Sequence, residues 1–398
     1  MEYRRKKIML NEQHIAVIKS TIPLLESAGP ALTQYFYQRM FSHNPELKDI
    51  FNMTHQRTGR QGVALFEAVA AYAKNIENLA ALSQAVERIA HKHTSFNIQP
   101  EHYQIVGHHL IETLRELAPE AFTPEVEEAW TAAYLFLAQI FIDREETLYQ
   151  LNASMNGGWR GTRDFVVANK IQESQFVTSF ELVPADGKPV VGYKPGQYLG
   201  IEVKPTNSEN VEIRQYSLSQ APNGNHYRIS VKRELLQKGD ESFQGKVSNY
   251  LHDQSQVGDV IKVYPPAGDF FYQATDNPVV LIAAGVGATP IQAMAQTLAA
   301  QDKANVNYLY ACETETQHTF ASETQNMVDT HGWKHQVWYR DQQGIMDLKA
   351  IAELPMVDGE FYLCGPLGFM EHVVSQLDEL GVARERVHYE VFGPHASL

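Results

Sequence analysis

Apolar residues recur at steps of three and four through the first 150 positions, with little glycine between them, the spacing that lays one apolar stripe along an α-helix. The rhythm stops at Asn152-Ala153-Ser154-Met155-Asn156-Gly157-Gly158, where small residues and a glycine pair predict a linker. Short β-rich runs follow: FVVANKI, FVTSFELV, QYLGIEV, IRQYSL, YRISVKR and DVIKVYPP, with Ala185-Asp186-Gly187 and Pro222-Asn223-Gly224 as turns. Closely spaced strands of this kind predict an antiparallel β-barrel. From Pro278 the pattern changes again. PVVLIAA is a continuous apolar strand, IQAMAQTLAA is helical, and NVNYLYACE, HQVWYR and EFYLCG alternate with further helical stretches. A βαβ rhythm predicts a parallel sheet covered by helices on both faces. The predicted fold is therefore multidomain: all-α, then antiparallel β-barrel, then α/β with a parallel sheet.

Length and charge narrow the picture. A chain of 398 residues exceeds one ordinary core. No uninterrupted apolar run approaches the roughly 20 residues of a membrane span. The opening MEYRRKKIML is basic without a following apolar core, and reads as a solvated extension whose first eight residues precede an alternative start at Met9. A formal net charge of −14 disfavours nucleic acid as a partner, since phosphate binding needs clustered Lys and Arg. Two cysteines, Cys312 and Cys364, far apart in the chain, exclude a disulfide framework and place the protein in the cytoplasm.

Candidate chemistry begins on the helical face Leu82, Ala85, Val86, Ile89, Ala90, His93, with Gln84, Glu87 and His91 turned to water. Among 16 histidines, one inward histidine is more often a satisfied core residue than a ligand. Its neighbours shift that balance. Tyr103 shares a face with Val106, Gly107, Leu110 and Leu114, and Glu145 with Tyr134, Ala138, Phe141 and Leu148. A carboxylate on an apolar face needs a partner. Either Glu145 is a surface charge where the stripe fades, or it and Tyr103 hold the ring N–H of His93 and strengthen that imidazole as a donor to iron. Gln61 lines up with Leu65, Ala68, Tyr72 and Ile76, and Tyr37 and Phe51 precede it. Singly these are core or surface residues; together they suggest a pocket with a phenol and an amide as donors, and Phe51 wedging a haem plane.

Residues 9–150 resemble the globin of the bacterial flavohaemoglobin (nitric oxide dioxygenase) family, through TIPLLESAGPALTQYFYQRMFSHNPELKDIFNM, ALFEAVAAYAKNIENL, HKHTSFNI and FIDREE. The resemblance implies haem b, with His93 as proximal iron ligand, Tyr103 and Glu145 as its partners, and Tyr37, Gln61 and Leu65 on the distal side. It also implies that Lys92 and Glu390 tune the redox potentials.

In the second half, Tyr198 of Pro195-Gly196-Gln197-Tyr198 and the run Arg214-Gln215-Tyr216-Ser217 suit a flavin: a guanidinium fork for a pyrophosphate, phenol faces for the ring, a hydroxyl for a ring nitrogen. Each could equally be ordinary turn and strand, but the spacing resembles a ferredoxin-reductase-like flavin domain. Gly245, Val247 and Ser248 open a predicted helix whose N–H groups suit phosphate; the stretch LLQKGDESFQG before it is longer than the family pattern. The run Gly285, Val286, Gly287, Ala288, Thr289, Pro290 follows a buried strand, with Thr289 as predicted N-cap and Pro290 in the first helical position. With Cys364, Gly365 and Pro366 after a later strand, the resemblance makes this the nicotinamide dinucleotide site. Glu313 suits a ribose hydroxyl and favours NADH over NADPH. The resemblance returns Val391, Phe392, Gly393 and Pro394 to the flavin, Phe392 covering one ring face.

The implied domains are 1–150 globin, 156–270 FAD-binding barrel and 275–398 NAD-binding α/β domain. The implied activity passes electrons from NAD(P)H through FAD to haem, where O2 oxidises NO: two NO and two O2 become two nitrates per NADH. Two other readings stand beside it. One is alkyl hydroperoxide reduction, with lipid admitted past Leu65 and Phe51. The other is a non-enzymatic O2 or NO sensor, which would need no attached electron supply. A monomer is expected.

Overall fold

The computed structural model describes residues 10–51, 60–238, 241–351 and 353–393, without the side chains of some residues inside helices and strands, Gln61 among them. The basic N-terminal extension and Pro394 lie outside the described residues. The chain divides into two compact units, Met1–Leu151 and Asn152–Leu398.

The first unit is helical. Its elements are α1 (Glu12–His43), a 3-10 turn at Pro45–Asp49, α2 (Arg60–Lys74), α3 (Ser83–Thr94), α4 (Pro100–Leu117) and α5 (Pro124–Ser154). Asn11 caps α1 by accepting the His14 N–H. Pro100 sits at the first position of α4, where a missing N–H costs nothing. One apolar cluster joins α1, α2, α4 and α5 around Phe36, Tyr37, Met40, Tyr72 and Trp130. A second gathers Ala90, Phe141 and Leu148, with Tyr103 against it. Leu137 packs against both. The α4–α5 contact depends on Gly107: a Cβ there would stand 2.3 Å from a ring carbon of Tyr134. That closeness lets the Tyr134 hydroxyl donate to the Tyr103 carbonyl at 2.6 Å.

The predicted linker begins later than its composition suggests. Asn152, Ala153 and Ser154 continue α5, because a helix end tolerates small polar residues; the chain turns at Gly157, whose φ is +75°.

The second unit opens with strands β1 (Arg163–Gln172), β2 (Val177–Pro184), β3 (Tyr198–Val203), β4 (Glu212–Ser217), β5 (Tyr227–Lys232) and, beyond a hairpin, β8 (Val260–Val263). They form one antiparallel sheet in the order β4-β3-β8-β1-β2-β5. A bridge between Leu218 and Ile229 joins the two ends, closing the sheet into the expected barrel. Phe165, Phe180, Leu199, Ile201, Tyr227 and Val263 fill it. The long stretch before Gly245 is an extra hairpin, β6 (Leu235–Lys238) with β7 (Glu241–Gln244), leading to α6 (Lys246–Asp253).

The remaining elements are β9 (Val279–Ala284), α7 (Ala288–Ala300), β10 (Val306–Cys312), α8 (Ala321–His331), β11 (Lys334–Tyr339), α9 (Arg340–Gln343), β12 (Glu360–Cys364), α10 (Leu367–Glu379) and β13 (Val387–Glu390). The sheet is parallel, in the order β11-β10-β9-β12-β13. Val279, Leu281 and Ala283 face one apolar cluster, Val280 and Ile282 the other. Both faces of β9 are covered, which is why its sequence is apolar without alternation. Strand order reverses between β9 and β12, and the carboxyl ends there frame a crevice of the kind that binds ligands in open α/β sheets. No helix among the described residues is long and apolar enough to cross a membrane.

Gly107→Ala is expected to lower the stability of the helical unit by about 1–3 kcal/mol, the usual cost of overpacking. Thermal unfolding of the full chain reads it, and Tyr134→Leu in the same chain should restore part of the loss.

Candidate functional site

His93 lies in the last turn of α3, beside Lys92. Its Nδ1 stands 2.7 Å from Glu145 Oε1 on α5 and 2.9 Å from the Tyr103 hydroxyl on α4. The Tyr103 hydroxyl donates to the same Glu145 oxygen. A carboxylate only accepts, so the histidine proton sits on Nδ1 and the Nε2 lone pair points elsewhere. No hydrogen bond to Nε2 occurs among the described residues, and the side chain is 32% exposed, whereas that of Glu145 is 3% exposed. Burial, then the charge and hydrogen bond of Glu145, push the Tyr103 phenol far above its ordinary value and keep it a donor. Phe141 packs on both rings.

His91 departs from expectation. Its side chain is 14% exposed, less than that of His93. Arg144 on α5 donates to Glu87 at 2.7 Å, and His91, one turn after Glu87, meets that carboxylate at 3.1 Å. The cross-helix ion pair draws His91 and Glu87 in from solvent.

Tyr37 stacks on Phe41 with centroids 5.8 Å apart and meets the edge of Phe51 at 6.0 Å. Leu65 packs against the same cluster. Gln61 belongs to α2, its side chain outside the described residues. No group of three or more metal-ligating side chains occurs among the described residues. One histidine with an available Nε2, held from behind, fits a haem iron, for which the porphyrin would supply the remaining nitrogen ligands.

In the barrel, β3 and β4 set Tyr198 beside Ser217, Leu199 beside Tyr216, Gly200 beside Gln215 and Ile201 beside Arg214. Gly268, at φ +120°, leaves room for the Tyr198 ring. Arg214 donates to Glu212 at 2.9 Å, and Lys246, the first residue of α6, donates to Glu212 at 3.0 Å. Burial pushes the Glu212 carboxyl up, but Arg214, Lys246 and Ser208 outweigh it and hold the group below its ordinary value. Gly245 is the N-cap of α6, Val247 is buried, and Ser248 Oγ accepts the Glu234 N–H at 3.1 Å. Two cations on one carboxylate beside a helix N-terminus fit a pyrophosphate. Sequence alone marks Lys246 only as part of the helix opening Gly245-Lys246-Val247-Ser248, without a role of its own, and passes over Glu212. The glycine-lysine pair opening a helix was the available signal for the first; Glu212 looked like an ordinary strand charge.

At the crevice, Gly285–Gly287 is a 3-10 turn between β9 and α7. A Cβ at Gly287 would stand 2.2 Å from the Cys364 carbonyl oxygen, so only glycine lets this turn close on Cys364 and Gly365. Pro366 caps α10. The predicted cap on α7 is corrected: helix begins at Ala288 with Gly287 as N-cap, Thr289 Oγ1 donates back to Val286 O at 2.9 Å, and Pro290 takes the third position. The 3-10 turn supplies the entry geometry that a side-chain cap would otherwise fix, and the third N–H also lacks an intrahelical partner. Glu313, just past β10, pairs with Arg340 at 3.0 Å, a residue the sequence reading passed over. Glu390 ends β13 opposite Cys364. Val391 and Gly393 are half-buried and Phe392 is 43% exposed, an aromatic face available for a flat ring.

A globin family model matches residues 34–140, an oxidoreductase FAD-binding domain model residues 164–272, and an oxidoreductase NAD-binding domain model residues 281–375. A flavohemoprotein of Vibrio cholerae serotype O1 is 67% identical over 396 residues, 98% of this chain and 100% of that protein. The crystal structure of a flavohemoglobin from Malassezia yamatoensis with bound FAD and heme is 27% identical, covers 96% of this chain and 100% of that one, and superposes with a TM-score of 0.85. The flavohem-like FAD/NAD-binding domain of a nitric oxide dioxygenase from Vibrio cholerae O1 biovar El Tor is 57% identical over 59% of this chain and 100% of that one, with a TM-score of 0.57.

The lowered Glu212 carboxyl has a pH signature. Its contribution is present above the unfolded value and is lost as pH falls through the folded one. The stability difference between the unaltered chain and Glu212→Gln should be widest at neutral pH and shrink below the ordinary 4.5. Urea unfolding midpoints from pH 7 to 3 measure it, and a gap independent of pH would remove the charge from the account.

Proposed function

The chain belongs to the flavohaemoprotein family, and we infer from the His93–Glu145–Tyr103 arrangement that it is a nitric oxide dioxygenase. When bound, the nicotinamide, FAD and haem supply the redox chemistry: one NADH, two NO and two O2 give NAD+, a proton and two nitrates.

This chain's residues prepare that chemistry. His93 offers its Nε2 lone pair to the iron. Glu145 and Tyr103 hold the Nδ1 proton, fix the ring and raise its electron donation, the push that favours O–O cleavage over oxygen storage. Tyr37, aided by Gln61, is the hydrogen-bond donor to dioxygen, where negative charge develops. Leu65 and Phe51 keep the pocket apolar. Lys92 and Glu390 tune the potentials of the two redox groups.

Arg214, Lys246 and the α6 N-terminus with Gly245, Val247 and Ser248 hold the FAD pyrophosphate. Tyr198, Gln215, Tyr216 and Ser217 take the flavin ring, and Val391, Phe392, Gly393 and Pro394 cover it. Gly285 to Pro290, with Cys364, Gly365 and Pro366, bind the dinucleotide. Glu313 accepts from the ribose hydroxyls and makes NADH the preferred donor over NADPH. The domain limits we assign are 1–150 for haem, 156–270 for FAD and 275–398 for NAD. Two unpaired cysteines and an acidic surface support a cytoplasmic monomer.

Purified protein should show haem and flavin absorption together, consume NO with NADH in air, and form nitrate at about two per NADH. Protein lacking haem, or His93→Ala retaining full nitrate formation, would overturn the assignment. Tyr37→Phe should keep its haem and release oxygen about tenfold faster, the loss of roughly one charge-assisted hydrogen bond. Flash photolysis of the reduced protein measures this, and an unchanged off-rate removes Tyr37 from the role.

A further inference from the structure

Arg228 lies on β5 of the barrel with only 10% of its side chain exposed. A guanidinium in such a place must find partners for its donors. Nε donates to Ser219 Oγ at 3.2 Å and Nη2 to the Ser219 carbonyl, both within the barrel. Nη1 and Nη2 cross to the parallel-sheet half, reaching Glu323 Oε1 at 3.4 Å and Oε2 at 3.1 Å at the start of α8. Glu323 accepts also from Gln296 on α7, and Gln296 in turn accepts the N–H of Ala221 in the barrel at 2.8 Å. The contacts form a closed circuit from barrel to α8 to α7 and back.

The residue under the guanidinium is unusual. Phe320 precedes α8 in a left-handed conformation, φ +63° and ψ 23°, which a bulky side chain adopts only where its surroundings impose it. Its ring is buried, and the Arg228 guanidinium stands 5.2 Å from the ring centroid. Phe320 ends the segment that leaves β10 at Glu313. That segment is tied to the barrel at two further residue pairs. Thr316 O accepts the Gln175 N–H at 2.9 Å, and the Ser174 and Thr319 hydroxyls meet at 3.2 Å.

We propose that Arg228 is a positioning residue for hydride transfer: through Glu323 and Phe320 it fixes the β10–α8 segment, and with it the dinucleotide, against the flavin-binding barrel. The inference rests on the reading of Gly285–Pro290 and Glu313 as the nicotinamide dinucleotide site. The hydride carries the C–H electron pair from the reduced nicotinamide to the flavin, so the first is oxidised and the second reduced by two electrons. Its rate falls steeply when donor and acceptor are displaced by as little as about 1 Å. Arg228 acts through Glu323 and Phe320, by holding the two halves in register.

The test mixes holoprotein with NADH anaerobically in a stopped-flow instrument. It compares the unaltered chain, Arg228→Gln, Glu323→Gln and the double variant. Three quantities are read: the limiting rate of flavin reduction, the NADH dissociation constant, and the long-wavelength charge-transfer absorbance of stacked nicotinamide and flavin. Each single variant should lose most of the charge-transfer band and slow flavin reduction about tenfold or more. The dissociation constant should stay within about threefold, because the dinucleotide contacts themselves remain. The double variant should be no worse than either single one, as expected for two residues acting as a unit. Glu323→Gln is nearly isosteric and leaves the barrel bonds of Arg228 in place, so it decides the matter if Arg228→Gln loses flavin. A normal band and rate in Glu323→Gln would overturn the proposal. Failure of the unaltered chain to pass electrons from NADH to flavin would instead strike the dinucleotide reading beneath it.

Discussion

Burying the carboxylate of Glu145 is the constraint around which the helical unit is arranged. An ionised oxygen in an apolar helix face is costly unless donors meet it. Here one oxygen collects two, the imidazole N–H of His93 from α3 and the phenol of Tyr103 from α4. Three helices are thereby fixed in register by a single atom. The same arrangement decides the tautomer of His93 and so turns its second nitrogen into a lone-pair donor. Tyr134, pressed close by Gly107, holds the Tyr103 backbone from behind. Structure and redox chemistry share one device.

The second unit repeats the principle with cationic donors. Glu212 is buried, and Arg214 and Lys246 converge on it from β4 and α6. One carboxylate cannot neutralise two cations, so a positive surplus remains at a helix N-terminus. Across the unit, the glycines of the β9–α7 turn allow backbone to close on backbone at the point where strand order reverses. The barrel supplies a charged cradle and the parallel sheet a crevice.

The parts of this architecture that depend on periodicity were legible in the sequence. His93 falls on the face of Val86, Ile89 and Ala90, although Ala85, expected on that face, is exposed, and a carboxylate at Glu145 on an apolar stripe announces a partner. The parts that depend on a distant element were not. Strand β13 is four residues long and becomes a strand only by pairing with β12. His91 should face solvent by helical phase alone; Arg144, more than fifty residues away, draws it in through Glu87. Thr289 has the chemistry of a cap, but the 3-10 turn before it moves the helix start two residues earlier, from Pro290 to Ala288. Lys246 and Arg340 resemble solvated charges until their partners are placed.

The sealing of Cys364 beneath the Gly287 turn carries a consequence for survival of the enzyme among its own reactants. Oxidants and nitrosating species derived from NO attack thiolates far faster than thiols. Cys364 is completely buried, and burial pushes its thiol well above the ordinary range. Burial likewise pushes the half-exposed Cys312 up to about 11. With these as its only two sulfhydryls, the chain offers almost no ionised sulfur at neutral pH. A catalyst that meets reactive nitrogen at every turnover thus keeps its two sulfurs in the less reactive thiol form.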